Sequence, residues 1–286
     1  MCGIVAYVGH QKAREVLVEG LKRLEYRGYD SSGIAILNSP PYLAKAVGKV
    51  AVLEQRVWQE NPEGAVGIAH TRWATHGKPT EANAHPHIDC TGRIYLVHNG
   101  IIENYQVLKK RLMAAGHTFR SETDTEVLVH LVEEAYQGNL EAAVRKALLH
   151  VQGTYGIAVL HTAHPQQIIV ARRGSPIVLG IGRDESLAAS DVSALAQHTD
   201  QVVYLEDNEV ARLEPGTFAI TTLENKTVNR DTTVLEVGPE AMDRGAFPHG
   251  PNIADEHGRS IGPSGGDGGD RVGVAKSSDA AHEVLL

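Results

Sequence analysis

Hydrophobic positions along the chain change their period several times, and each change marks an element. Gly3 to Val8 (GIVAYV) is a short, unbroken apolar run rich in β-branched residues, which predicts a strand buried on both faces. Ala13, Val16, Leu17, Gly20, Leu21 and Leu24 then recur at helical spacing and predict one amphipathic helix. A Gly/Asp/Ser turn at Arg27 to Ser32 leads to apolar runs at Gly33 to Leu37 and Ala65 to Ala69, so this first stretch reads as strands around a single helix. Helical periodicity returns over Glu103 to Ala115, over Asp124 to Tyr136 and over Leu140 to His150; in the second of these Val127, Leu128, Leu131, Val132 and Ala135 share one face. After Gly153 the pattern shortens to strands at Tyr155 to His161, Gln167 to Ala171, Pro176 to Leu179, Gln201 to Leu205, Glu209 to Leu213 and Thr217 to Thr222. Strand-rich ends around a helical middle predict an α+β fold in which sheets are covered by helices.

From about Gly238 the periodicity fades, and Gly262 to Gly269 reads GPSGGDGG. Such a composition buries too little apolar surface to offset the entropy of ordering, so residues 238–286 are expected to form a disordered tail behind one domain, 1–237. The 286 residues suffice for a full core, and the apolar share of 42% includes no long apolar stretch near the start. A formal net charge of −8 with no basic cluster argues against nucleic acid as a partner, and nothing points to a membrane. The two cysteines, Cys2 and Cys90, make no disulfide framework, which fits a reducing, cytoplasmic compartment.

Four places carry candidate chemistry. Cys2 directly follows the initiator Met, and a small side chain there permits Met removal, which exposes a thiol and a free α-amine on one residue. The amine, with a pKa near about 8, can take the proton of its own thiol, so nucleophile and base share a residue. The plain alternative is a small residue entering a buried strand. His70 to Gly77 (HTRWATHG) runs from a strand into a loop, where Arg72 suits a carboxylate clamp or an ordinary ion pair, and Trp73 a site wall or a core aromatic. Leu96 to Gly100 ends a strand in Asn99-Gly100, either a turn or two donors aimed at one oxygen. Asp124 opens a helix as a cap or first-turn acid, or as the partner of a ligand ammonium. His70, His76, His85 and His87 lie close together but lack the i, i+4 spacing and the Cys pair of a zinc site, so no metal or organic cofactor is implied.

Singly these signals are weak, but their order is specific. Cys2-Gly3-Ile4, Arg23 to Gly33, His70 to Gly77, Asn83 to His87, Val97 to Asn104 and Ser121 to Val127, continued by Gly174-Ser-Pro and Ala189-Ser-Asp, resemble the class II glutamine amidotransferases from residue 1 to about 220. Within that group the resemblance is closest to the glutaminase halves of glutamine:fructose-6-phosphate aminotransferases. It implies an N-terminal-nucleophile hydrolase fold with two stacked antiparallel sheets sandwiched by helices (αββα). It also implies L-glutamine as substrate and Cys2 as nucleophile, with Asn99 and Gly100 as the oxyanion hole. Arg72 would then hold the α-carboxylate and Asp124 the α-ammonium. Trp73, Thr75 and His76 would line or close over the substrate, and Arg27 and Gly28 would support the nucleophile. Such relatives continue into sugar-phosphate isomerase domains, which this sequence does not resemble after Ala241 to His249. Fructose 6-phosphate is therefore expected to be a substrate only if a synthase half is supplied. A glutaminase half of another amidotransferase, or a non-catalytic glutamine-binding fragment, is the competing reading, and the oligomeric state is left open.

Overall fold

The computed structural model describes residues 2–73 and 77–235; the expected tail, together with Thr75 and His76, lies outside them. The chain opens with β1 (Gly3–Val8), α1 (Ala13–Leu24), β2 (Ser31–Ile36), β3 (Tyr42–Val47), α2 (Val50–Glu60) and β4 (Val66–Arg72). The middle holds β5 (His87–Ile88), β6 (Ile94–Ile102), α3 (Tyr105–Ala114), α4 (Glu126–Ala135) and α5 (Leu140–Leu148). There follow β7 (Gly153–His161), β8 (Ile168–Arg173), β9 (Val178–Gly182), β10 (Glu185–Ala189), β11 (Gln201–Tyr204), β12 (Glu209–Glu214), β13 (Thr217–Thr222), β14 (Thr227–Val228) and β15 (Thr233–Val234).

The strands form two sheets, ordered β15-β11-β9-β10-β1-β4-β2-β3 and β14-β13-β12-β8-β7-β6-β5. Every ladder between them is antiparallel, as short connections between neighbouring strands favour. Side chains on a strand alternate between faces, and here both faces are buried. Val5 and Tyr7 of β1 pack outward with Val16, Leu17 and Leu21 of α1 and Leu53 of α2. Ile4, Ala6 and Val8 point inward and meet Val97, Ala158 and Val170 of the other sheet. The second sheet repeats the pattern, with Leu96, Ile157 and Val159 facing Val127, Leu131 and Val144 of the helices. The order of layers is therefore helices, sheet, sheet, helices, and the unbroken apolar runs of β1 and β7 are the signature of strands covered twice.

Two expectations need correction. The first third contains a second helix, α2, whose Val50, Leu53 and Val57 are buried at helical spacing. Val52 and Trp58 on its outer side are exposed and blur the apolar stripe. The sequence reading also passed over β3, β5, β10, β14 and β15. Of these β10 is a fully buried central strand between β1 and β9, and its ESLAA sequence has the low intrinsic strand preference of Ala and Glu. Its neighbours, not its own residues, hold it extended.

Candidate active site

The site forms where one end of each sheet comes together. Cys2 immediately precedes β1, and the pairing of Gly3 with Thr71 on β4 sets it beside the Arg72-Trp73 peptide. The Trp73 N–H donates to Cys2 Sγ at 3.3 Å, and Trp73 O lies 3.7 Å from the same sulfur. From the opposite sheet, β6 brings Asn99, whose Nδ2 donates to Cys2 O at 3.0 Å. Burial pushes the Cys2 thiol pKa up, so the sulfur rests as a thiol.

Asn99 and Gly100 do not form a turn. They lie within β6, paired with Gly156 and Tyr155 of β7, and the strand continues to Ile102. Gly100 has φ 133°, and a Cβ there would stand 2.2 Å from Thr154 O, so the strand's path past the cavity requires glycine.

The orientation of the Asn99 amide is set from behind by a histidine that the sequence reading considered only as a metal ligand. His70 Nε2 lies 3.1 Å from His98 O and 3.0 Å from Asn99 Oδ1. Both are acceptors, so Nε2 must carry the proton. Burial pushes the His70 pKa down to about 3, which keeps the ring neutral and leaves Nδ1 bare, in agreement with the absence of a hydrogen-bond partner there. An Nε2–H that donates to Oδ1 forces Nδ2 of Asn99 toward Cys2. His70 stacks on His85 at 4.1 Å, and His85 makes an edge contact with His87 at 4.7 Å. Burial holds both of these well below the usual histidine range. This histidine stack is thus a neutral, buried floor beneath the site; His76 lies outside the described residues.

Arg72 is buried at the end of β4, where Nη2 donates to Gly77 O at 3.3 Å and Nη1 to Lys78 O at 3.5 Å. Asp124 is also buried, and it does not cap α4: its Oδ2 accepts the Ile102 N–H at 2.7 Å, which joins the Ser121–Glu126 segment to β6. Both carboxylate and guanidinium line one narrow recess together with Cys2, Trp73 and Gly100. Trp73 is not a core aromatic; it is 46% exposed and packs edge-on against Tyr29 with ring centroids 5.3 Å apart. Arg27 donates to Ser190 O at 2.8 Å and lies 3.6 Å from Asp191 Oδ2. Gly28 accepts a hydrogen bond from Thr71 Oγ1, and a Cβ on it would stand 2.8 Å from the Arg72 carbonyl carbon. Its missing side chain lets the Arg27 turn lie directly on the strand end that positions Arg72 and Trp73.

Beside that recess Cys2, Arg27, Trp73, Asn99 and Gly100 wall a second cavity of about 330 Å³, whose lining also includes Thr154, Ser175 and Ser190. The last three carry no assignment from the sequence, although the Gly174-Ser-Pro and Ala189-Ser-Asp segments that hold two of them stand out in it. Ser190 ties the wall to β1, the strand that follows Cys2: its Oγ accepts the Ile4 N–H at 3.0 Å, and its own N–H donates to Ile4 O at 3.1 Å. A larger hollow of about 830 Å³ lies at the other end of β1, beside Val8, Leu37 and His164, remote from both the thiol and the Arg72/Asp124 recess. Among the described residues no helix is long and apolar enough to cross a membrane.

Comparison with known proteins agrees with this fold. Residues 52–246 match the family model described as the glutamine amidotransferase domain. The chain is 52% identical over 251 residues to a glutamine–fructose-6-phosphate aminotransferase (isomerizing) of Thermus thermophilus, covering 87% of this chain and 41% of the relative. A protein of the same name from Chlorobaculum tepidum is 47% identical over 259 residues, with 87% and 42% covered. The chain thus spans less than half the length of these curated relatives. Among solved structures, the fold is similar to a glutamine phosphoribosylpyrophosphate amidotransferase from B. subtilis, with TM-score 0.68 at 24% identity over 78% of this chain and 49% of that one. It is also similar to a glutamine aminotransferase class-II domain protein from Silicibacter pomeroyi, with TM-score 0.52 at 17% identity over 78% and 99% of the two chains. The layered αββα fold expected from the resemblance is the fold observed, and the chain belongs to the glutamine amidotransferase domain family.

Proposed function

We propose that this chain hydrolyses L-glutamine to glutamate and ammonia with Cys2 as nucleophile, as the glutaminase part of a glutamine–fructose-6-phosphate aminotransferase. The observation that carries the reading is that Cys2 and Gly100 stand between two adjoining hollows, one walled by Asn99 and the other by the buried Arg72 and Asp124. An arginine and a carboxylate in one recess suit the two charges of an α-amino acid, with Arg72 on the carboxylate and Asp124 on the ammonium. The side-chain amide then lies toward the sulfur, beside Trp73; Thr75 and His76 are assigned to the substrate by the family resemblance alone.

Because burial disfavours the thiolate, attack needs a base at the sulfur. With Met1 removed, the Cys2 α-amine takes the thiol proton as sulfur adds to the amide carbon. The amide oxygen becomes an oxyanion, which accepts hydrogen bonds from Asn99 Nδ2 and the Gly100 N–H. In this step Nδ2 exchanges Cys2 O for the oxyanion, and His70 holds the amide in the required orientation. Collapse of the intermediate breaks the C–N bond, and the proton now on the α-ammonium leaves with ammonia. Water, deprotonated by the regenerated amine, then cleaves the thioester to glutamate and returns the thiol. Arg27 and Gly28 act by supporting the strand ends. Amination of fructose 6-phosphate belongs, in this reading, to the part of the relatives that the chain does not span.

The test is release of glutamate and ammonia from L-glutamine by the purified chain, with the N-terminal residue verified by intact mass. Release that vanishes in Cys2→Ala is the expected result. Hydrolysis that persists in Cys2→Ala refutes the nucleophile, and sugar amination by this chain alone refutes the division of labour.

A further inference from the structure

Cys90, the second thiol, has surroundings unlike those of the first. It follows β5 in the turn toward β6. His117, from the loop after α3, presents Nδ1 to its Sγ at 3.6 Å, and His130, on α4, presents Nδ1 at 3.7 Å. Glu133, one helical turn beyond His130, places Oε2 3.0 Å from each of those nitrogens. The four donor atoms, one sulfur, two imidazole nitrogens and one carboxylate oxygen, all lie within 4.8 Å of one another.

We propose that these four residues bind a zinc ion. With Zn–S near about 2.3 Å and Zn–N and Zn–O near about 2.0–2.1 Å, the edges of a tetrahedron are roughly 3.6 Å for S···N and 3.3 Å for N···O. The observed 3.6 and 3.7 Å match the first, and 3.0 Å is within a few tenths of the second. The donor types also select zinc, since thiolate with imidazole is a borderline-soft set in a closed tetrahedral site. Glu133 is the common acceptor of the cluster: Oε2 also takes the Cys90 N–H at 3.1 Å, and the carboxylate is the acceptor open to the Cys90 thiol proton. A cation at the centre replaces the protons between these groups, with sulfur and both nitrogens then acting as lone-pair donors.

The surroundings of the four are those of a metal site as well. Each histidine turns its other nitrogen to a carboxylate: His130 Nε2 lies 3.7 Å from Glu126 Oε1, and His117 Nε2 lies 3.7 Å from Glu134 Oε1. At 3.7 Å these are ion-pair distances and not hydrogen bonds, and His130 Nε2 is without a hydrogen-bond partner; the two carboxylates place negative charge behind both rings. The Thr118 N–H donates to Cys90 Sγ at 3.4 Å, a bond that favours thiolate, and Phe119 packs edge-on against the His130 ring at 4.7 Å.

With four protein donors the site has no open position, so its role is to clip structure and not to activate water. It joins the β5–β6 turn, the loop after α3 and helix α4. Glu126, behind His130, also accepts from Arg120 N, Ser121 N and Ser121 Oγ at 2.7, 2.7 and 2.6 Å. The clip therefore braces the segment that carries Asp124.

The test uses the full chain, freed of metal with a chelator, incubated with zinc and desalted, with metal counted by mass spectrometry. About one zinc per chain is expected for the parent protein and for Cys2→Ala, and essentially none for Cys90→Ser or His117→Ala. Cobalt offers a reading that needs no variant: the parent protein should show a thiolate-to-cobalt charge-transfer band and the intense ligand-field bands of tetrahedral geometry. Zinc should also raise the thermal midpoint of the parent and not that of Cys90→Ser, with circular dichroism confirming that both are folded. Failure of the parent to retain zinc, retention of a full equivalent by Cys90→Ser, or an octahedral cobalt spectrum without a thiolate band each overturns the proposal.

Discussion

The two cysteines of this chain stand in opposite chemical settings, although histidines contribute to both surroundings. Cys2 opens onto a cavity of about 330 Å³; its nearest polar groups are the Trp73 peptide and, through its own carbonyl, the Asn99 amide, and the histidines lie beneath it. There His70 spends its N–H on His98 O and Asn99 Oδ1, so it serves the amide and not the sulfur. Cys90 lies at the surface, with two imidazole nitrogens and a carboxylate oxygen around its sulfur. A thiol facing space and amide donors is arranged to meet a substrate. A thiol surrounded by lone pairs is arranged to share a cation.

The sharpest way to break this comparison is to exchange the outcomes at the two thiols. Cys2→Ala should bring glutamine hydrolysis to background and retain zinc, whereas Cys90→Ser should lose zinc; loss of zinc by Cys2→Ala would mean that the two thiols serve one site. Asn99→Ala should lower kcat by about 10²–10³-fold with KM little changed, because the amide is used mainly once the oxyanion forms; steady-state kinetics of glutamate release check this. Arg72→Lys keeps the charge but loses the two-pronged geometry, and a loss of about 1.5–3 kcal/mol should raise KM for glutamine by roughly 10–100-fold. A proportional fall in kcat with KM unchanged would place Arg72 outside substrate binding.

The smallest effect per group concerns the histidine floor. His70, His85 and His87 have folded pKa values depressed by burial, so unfolding lets each take up a proton once pH is below its unfolded value. Their contribution is complete above about pH 6.5 and declines by about 1.4 kcal/mol per pH unit and per histidine below it, for His70 until pH nears its folded value of about 3. Chemical denaturation between pH 7 and pH 5 should show stability falling with acidification, and His85→Gln should flatten the slope. A pH-independent midpoint over that range would contradict a neutral floor.

Much of this was legible in the one-dimensional pattern. The doubly buried strands announced themselves as unbroken apolar runs, and α1, α3, α4 and α5 as periodic stripes, since both signals depend only on residues near in sequence. Cys2 was legible because its chemistry is local, with amine and thiol on one residue. Helix α2 was obscured by its exposed Val52 and Trp58, and β10 by residues that are extended only because β1 and β9 pair with them.

What needed tertiary structure were the properties that several segments create together. The orientation of the Asn99 amide depends on a histidine from another sheet, and the three sequence readings of Asp124, as a cap, a first-turn acid or a partner for a ligand ammonium, narrowed only with its bond to Ile102 and its place in the recess. The Cys90 cluster draws its four donors from three segments, with only His130 and Glu133 at a recognisable spacing of three, so a search for paired ligands in sequence passed over it. The sequence by itself determined which stretches are buried and where a nucleophile with its own base can arise, because burial period and a shared residue are local quantities. Only the tertiary structure decided what each thiol and each histidine faces, because those distances are set by sheet register and loop closure between residues far apart in the chain.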